Sequence, residues 1–470
     1  MGVYADLQAL AQGDPDQAAR ECVTLLDRNP DDSLALFLLG QIHAEAEHFG
    51  MAANVYRRVT QLKPEKSEGW NNLGMALEGL KRHQEAMQCF RKAWGLEARA
   101  AHASNIGNCY LSQQDYTQAV TWAQRALKID AQCHSARAVL AMASLALNDW
   151  ATGWDHYEAT LGGKFRKEVQ YQEEGRWDGT PGRSLIVYGE QGLGDEVMYA
   201  SCIPDVARDN RVVLECDRRL EGLFRRSFPQ VDVYGTRREA VDWLERYQFD
   251  ARCSIGTLPK FFRRSAAAFP GTPYLKADPE RVTQWKALFK RPTIGLCWSG
   301  GTKHNKREHR HIGLEAFRPL IEALDADFVS LQYKDPSAEI QASGLPVRHY
   351  RRATETDDYD DTAGLVAALD MVIGVHTSAH HLAGALGVPG VILVPQQTLW
   401  LYATEFPWYA SARLFRQRGT WTQTIAALVE GETLCHLRKP LSSPVAASSP
   451  SSSRVRVASR PPSAKQPEPA

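Results

Sequence analysis

GVHTSAHHLAGALGVPGVILVP, Gly374 to Pro395, decides how the second half of the chain is read. It continues an apolar strand (DMVIGV, Asp370 to Val375) into a Thr-Ser turn. A helix of small residues follows, Ala379 to Leu386, then a Gly-Val-Pro break and a second apolar strand, Gly390 to Val394. Strand, turn, helix, strand is the unit of a parallel α/β sheet. The turn sets the N–H groups of Thr377, Ser378 and Ala379 at a helix N-terminus, where free donors and the helix dipole favour a phosphate. Small side chains let the helix lie close to the sheet.

Upstream, RPTIGLCWSGGTKHNKREHRHIGLEAFRPL (Arg291 to Leu320) opens the same sheet. Thr293 to Trp298 reads as a strand, Ser299-Gly300-Gly301 as a turn, and KHNKREHRH as a basic loop. Lys303, Lys306, Arg307 and Arg310 stand directly after a strand end, where phosphate needs charged donors. A merely solvated loop is the other reading. Phe328 to Gln332 is a further strand ending in Leu331-Gln332. Asp361-Thr362-Ala363 opens a helix, and Trp421 to Leu434 is a closing amphipathic helix. From Lys439 the sequence is rich in Pro, Ser and Ala, which predicts a disordered tail over 439–470.

A second α/β unit precedes it, over about 183–280. Ser184 to Tyr188 is an apolar strand, GEQGLGD (Gly189 to Asp195) a glycine-rich loop, and a helix is predicted from about Glu196. Strands at Arg211–Cys216 and Val231–Tyr234 continue the alternation. The glycines are out of order for a dinucleotide fingerprint. Gly192 and Gly194 instead deliver Asp195 to the carboxyl edge of the sheet, where open α/β folds bind ligands. Asp195 is then a general base at a cleft or an N-cap.

The first third repeats. Gly40, Gly74 and Gly107 close Leu-Leu-Gly, Asn-Leu-Gly and Asn-Ile-Gly, 34 and 33 residues apart. Ala52, Ala86 and Ala119 follow at matching offsets, then Tyr56, Phe90 and Ala123, then Val59, Ala93 and Ala126. WNNLGMALEGLKRHQEAMQCFRKA, from Trp70, is the clearest copy. The pattern resembles the tetratricopeptide repeat, a helix pair per unit. Such arrays present a concave surface to a partner, or only pack on the next domain. Asn71, Asn72, Asn105 and Asn108 are placed to grip an extended backbone or to be solvated helix surface.

The 55 basic and 55 acidic residues of this 470-residue chain balance, which argues against nucleic acid or an anionic membrane surface as partner. No run approaches a transmembrane span, and the first residues lack a secretory pattern. Nine unclustered cysteines read as reduced thiols, so a cytoplasmic setting is expected.

The blocks GEQGLGD, GLCWSGG (Gly295 to Gly301), SLQ (Ser330 to Gln332), DTA (Asp361 to Ala363) and VHTSAHHLAGALGVP stand in order over about 150–435. Together they resemble tetratricopeptide-repeat proteins carrying a glycosyltransferase family nine domain, a family that includes bacterial heptosyltransferases. The resemblance implies a GT-B fold, two Rossmann-like domains across a cleft. The expected division is repeats over 1–165, an acceptor-side domain over 166–285, a donor domain over 286–438 and the tail over 439–470. It implies metal-independent, inverting hexosyl or heptosyl transfer from a nucleotide-diphospho-sugar, with no cofactor. Asp195 would take the acceptor proton. Lys306 or Arg310 and the amides of Thr377, Ser378 and Ala379 would stabilise the diphosphate, with Leu331 and Gln332 near the base and His381 beside the pyrophosphate. The family usually carries a sugar-contacting Asp where this chain has His376, and a serine where it has His311. A protein or glycan acceptor, recruited by the repeats, is the expected partner. The alternative is an inactive transferase fold serving as a scaffold.

Overall fold

The computed structural model describes residues 3–163, 166–237, 241–301 and 310–438. Lys303, Lys306, Arg307 and the 439–470 tail therefore lie outside the described residues.

The chain begins as a tetratricopeptide-like helical repeat. Helices Val3–Gly13, Pro15–Arg28, Ser33–Glu45, Phe49–Leu62, Ser67–Gly79, His83–Leu96, Ala100–Ser112, Tyr116–Ile129, His134–Ala146 and Trp150–Tyr157 pack as successive pairs. The period follows from what the pairs bury. A Cβ on Gly74 would lie 2.6 Å from the Phe90 ring, and one on Gly40 2.7 Å from that of Tyr56. Ala52, Ala86 and Ala119 are fully buried where the helices cross. Large and small residues thus interlock pair by pair, each pair covering the next.

Two parallel sheets follow. β1 (Gly175–Arg176), β2 (Ser184–Tyr188), β3 (Arg211–Glu215), β4 (Asp232–Tyr234) and β5 (Ala251–Ser254) lie in the order β1-β5-β2-β3-β4. β6 (Thr293–Cys297), β7 (Asp327–Ser330), β8 (Val347–His349), β9 (Met371–Val375), β10 (Gly390–Val394) and β11 (Ala412–Arg416) lie in the order β11-β10-β9-β6-β7-β8. All pairings are parallel. β6, β9 and β10 are buried along their whole length, which is why they read as continuous apolar runs.

In both sheets the strand order reverses once. The reversal falls between β2 and β5 in the first and between β6 and β9 in the second. Such switch points open crevices at the carboxyl ends of the strands. At the second one the backbones nearly touch: a Cβ on Gly374 would sit 1.9 Å from the Cys297 carbonyl oxygen.

The sheets are locked together and to the repeats. Arg226 donates to both carboxylate oxygens of Asp360. The Tyr274 and Leu275 N–H groups both donate to the Ala385 carbonyl at 3.0 Å. Trp154 of the last repeat helix is 1% exposed and donates to the Arg263 carbonyl at 2.9 Å. Its ring meets those of Trp400 and Trp408, with centroids 5.9 and 6.4 Å away. Thr404 donates to the Ala146 carbonyl at 2.9 Å. Among the described residues no helix is long and apolar enough to cross a membrane.

Candidate functional site

The glycine-rich loop after β2 ends in the helix Leu193–Tyr199, which starts earlier than the expected Glu196. Its cap is Gly192, which has no side-chain oxygen to offer. Asp195, inside the first turn, reaches back and accepts the Gly192 N–H at 3.1 Å. A carboxylate at the third helical position thus ties the cap residue from within the helix, the half of a capping box that a glycine cap leaves possible. The next residue points the other way. Glu196 is fully buried, accepts from the Asp217 N–H at 2.9 Å and pairs with Arg237 at 3.0 Å.

Burial pushes the Asp195 carboxyl up to about 6. The Gly192 N–H opposes that shift, Glu190 adds to it, and Arg310 and Arg237 pull the other way. Burial likewise raises Glu196 to about 8. Asp195 sits at the joint between the two sheets, while Glu196 is committed to Arg237 and Asp217.

The wall opposite is the helix Ser378–Leu386, capped by Thr377. The Ser378 and Ala379 N–H groups lie in its first turn, where a helix leaves donors without intrahelical acceptors. Arg310 is delivered beside it by a short antiparallel bridge, Ser299 to His311, closed by Gly300 N–H to Arg310 carbonyl at 3.1 Å. Gly300 packs directly under Thr377, where a Cβ would fall 2.6 Å from the threonine methyl.

His376 is 3% exposed, lies 4.6 Å from the Tyr402 ring, and neither ring nitrogen makes a hydrogen bond. Burial, reinforced by the charges of Arg310, His381 and His380, holds its pKa well below the usual histidine value. A buried, neutral, unsatisfied ring at a switch point is a group awaiting a partner. His381 is different. Its two nitrogens hydrogen-bond Tyr402 Oη at 3.0 Å and Tyr409 Oη at 3.2 Å, so it is spent on the joint between the halves.

Leu331 and Gln332 are also spent. Leu331 is buried against Gly295. The Gln332 amide donates to the Ser299 carbonyl at 3.0 Å and accepts from the Trp298 and Ser299 N–H groups at 2.8 and 2.9 Å. The SLQ block shapes the turn after β6. Beyond it lies a cavity of about 350 Å³ between Arg219 of the first sheet's side and Tyr333, Lys334 and Asp335 of the second. The Tyr333 hydroxyl joins it to the turn by donating to the Gly301 carbonyl at 3.2 Å. A 470 Å³ depression at Met371 and Gly390 lies at the opposite, amino-terminal ends of β9 and β10.

So Gly192, Gly194, Asp195, Arg310, His376, Thr377, Ser378, Ala379 and His381 gather at one joint. Tyr402 joins them unannounced, since a tyrosine in an aromatic-rich segment carries no spacing signal. Among the described residues Asp335, His349 and Glu355 bring ligand atoms within 4.8 Å of one another. Glu355 already pairs with His349 at 2.7 Å and Arg351 at 3.1 Å, and Asp335 accepts the Ser337 N–H at 2.9 Å. The trio is satisfied without a cation.

A family model described as the tetratricopeptide repeat protein 21 C-terminal ARM domain matches residues 24–143. Protein FlbA of Caulobacter vibrioides is 29% identical over 494 residues, covering 90% of this chain and 83% of that protein. The crystal structure of MamA aligns at 18% identity and TM-score 0.31, over 34% of this chain and 92% of MamA. PilW, a widely conserved type IV pilus biogenesis factor, aligns at 23% identity and TM-score 0.32, over 33% of this chain and 74% of PilW.

Proposed function

We propose that the chain is a metal-independent, inverting glycosyltransferase of the GT-B type, using a nucleotide-diphospho-sugar, with the repeats recruiting a protein or glycan acceptor. The supporting observation is the meeting of the two switch points: the Asp195 helix abuts the Ser378 helix, so a proton acceptor and a phosphate turn lie side by side. The 350 Å³ cavity beside Gly301 has the size of a nucleoside pocket.

In this reading the acceptor hydroxyl gives its proton to Asp195. Its oxygen attacks the anomeric carbon as the bond to the diphosphate breaks. The departing charge falls on the Ser378 and Ala379 amides and on Arg310, donors fixed in place before the charge develops. His376 supplies a neutral ring to the sugar where the resembled family has a carboxylate. That difference is also what favours the second reading, an inactive fold used as a scaffold.

Calorimetric titration with nucleoside diphosphates and nucleotide sugars separates the two. Ser378→Pro removes one amide at the first helical position, which tolerates proline. Thr377 precedes it with φ −138° and ψ 172°, as proline requires. Binding at about micromolar Kd, lost in Ser378→Pro and kept in Asp195→Ala, supports a working donor site. Folded protein that binds none of them leaves the scaffold.

A further inference from the structure

We propose that Arg166, on the segment leaving the last repeat helix, is a positioning residue that fixes the loop carrying Asp195, so that the end of the repeat array is a structural part of the cleft. The inference rests on the reading of Asp195 as the base.

Arg166 stands at the first sheet's switch point, between the ends of β2 and β5. Its side chain is 2% exposed and that of its partner Glu190 is 0% exposed. All five guanidinium N–H donors have acceptors. Nε donates to Glu190 Oε1 at 3.0 Å. One terminal nitrogen donates to the Tyr157 carbonyl and Thr160 Oγ1, both at 3.0 Å. The other donates to Ser254 Oγ at 2.9 Å and Thr257 Oγ1 at 3.1 Å. The plane lies over the Tyr157 ring, 4.3 Å from its centroid. One side chain therefore ties the end of the repeats, the β2 loop and the end of β5.

From Glu190 the tie runs to the site in three residues. Gln191 Nε2 donates to the same Glu190 oxygen at 3.2 Å, and Tyr157 Oη donates to Gln191 Oε1 at 3.4 Å. Arg237 holds the Gln191 carbonyl from the other side. Gly192 then donates to Asp195. The packing leaves no slack: a Cβ on Gly256 would lie 2.5 Å from both Gln191 Nε2 and Glu190 Oε1. A buried ion pair contributes little net stability over an apolar replacement. Its geometry is better accounted for by what it orients, since a planar fork fixes direction where a lysine would not.

The test reads Asp195 itself. Full-length protein is labelled with ¹³C at aspartate carboxyls, and the Asp195 signal is assigned by its loss in Asp195→Asn. The groups facing Asp195 are Glu190, Arg310, Arg237, Tyr157, Tyr199, Tyr402 and Tyr409. The variants must leave those charges in place. Arg166→Lys keeps the charge and loses the fork; the pair Ser254→Ala with Thr257→Val keeps both charges and removes two anchors. In wild type the titration midpoint is expected near 6. In either variant it should fall by about one unit as the loop opens to water, and amide exchange over 189–195 should quicken about tenfold. Folded variants with the wild-type midpoint and exchange overturn the role of Arg166 and leave the base reading standing. A wild-type midpoint near that of a free carboxylate removes the base reading and this inference with it. Should Arg166→Lys fail to fold, the Ser254/Thr257 variant decides.

Discussion

Gly194 and Ser378 meet so closely that a Cβ on the glycine would lie 3.1 Å from the serine Cα. One residue belongs to the loop-helix after β2, the other to the helix after β9, so the two sheets touch at the elements that carry the site. The same Cβ would meet the His381 ring at 3.1 Å. A methyl there needs a few tenths of an ångström from its neighbours, and a branched side chain needs the halves to part. Gly194→Val should therefore lower stability by about 1–3 kcal/mol, the usual range of overpacking, and weaken nucleotide binding, with Gly194→Ala intermediate. Chemical denaturation and calorimetry together check this; a Gly194→Val protein with wild-type affinity would show that the contact does not set the cleft.

The Asp195 carboxyl predicts a pH dependence with a definite sign. Its folded pKa, about 6, lies above the unfolded value, so the folded state binds the proton more tightly. That contribution is full below about pH 4 and is lost as the pH rises through about 6. Asp195→Asn should thus gain about 3 kcal/mol over wild type at neutral pH and little, about 0.5 kcal/mol, near pH 4. Transfer has the opposite sign, since the base must be ionised: turnover should climb through pH 6 and level above it. A gain that is equal at both pH values would mean that Asp195 is not held up by the cleft.

Three histidines act in the other direction. Burial holds His376 well below its usual value, His380 down to about 4 and His381 to about 3. Each folded pKa is below the unfolded one, so this stability is present above about pH 6.5 and lost as the pH falls. His380→Gln keeps the capacity to donate to the Val391 carbonyl, which His380 Nε2 approaches at 3.2 Å. It should flatten the fall of unfolding free energy between about pH 6 and 4.5 by up to about 1.4 kcal/mol per pH unit. Urea midpoints at three pH values measure the slope, and an unchanged slope would remove His380 as a contributor.

The repeat glycines predict a local cost. Gly74→Ala puts a methyl into the Phe90 ring, whose Cε1 lies 2.6 Å from the added atom. A loss of about 1–3 kcal/mol is expected, with faster amide exchange over 67–96. The double variant Gly74→Ala, Phe90→Leu should recover part of it, because the smaller side chain vacates the space. No recovery would place the cost in the backbone.

Much of this was legible because it rests on size and period. Gly40, Gly74 and the paired Ala52, Ala86 and Ala119 mark helix crossings where only small residues fit. The β6 and β9 runs are apolar throughout because both faces are covered. Other features leave no such trace. Non-glycine residues with positive φ at Glu47, Lys81, Gln114 and Asn148 recur 34, 33 and 34 residues apart, yet their side chains share nothing a pattern could register. The Asp195 helix starts early because its cap is a glycine served by a later carboxylate. Arg166 lies in an irregular crossing where no periodicity applies, and the hydrogen bonds that tie the Gln332 amide to the turn after β6 leave no mark in sequence, where a buried amide and an exposed one read alike.

Trp154 predicts how the repeats and sheets share their stability. Its indole N–H donates to the Arg263 carbonyl, and its ring is enclosed by Tyr157, Tyr199, Trp400 and Trp408. Truncation to alanine empties the centre of that junction, at a cost of about 3–5 kcal/mol. Both flanking bodies keep cores of their own, around Phe90 and around Ile294. Trp154→Ala should therefore split one calorimetric transition into two instead of only lowering it. The comparison is Trp70→Ala, whose indole bonds only the nearby Pro64 carbonyl within the repeats. It should destabilise the repeats and leave the junction intact. A single undivided transition in Trp154→Ala would show that Thr404, Arg166 and the remaining contacts couple the two parts without the tryptophan.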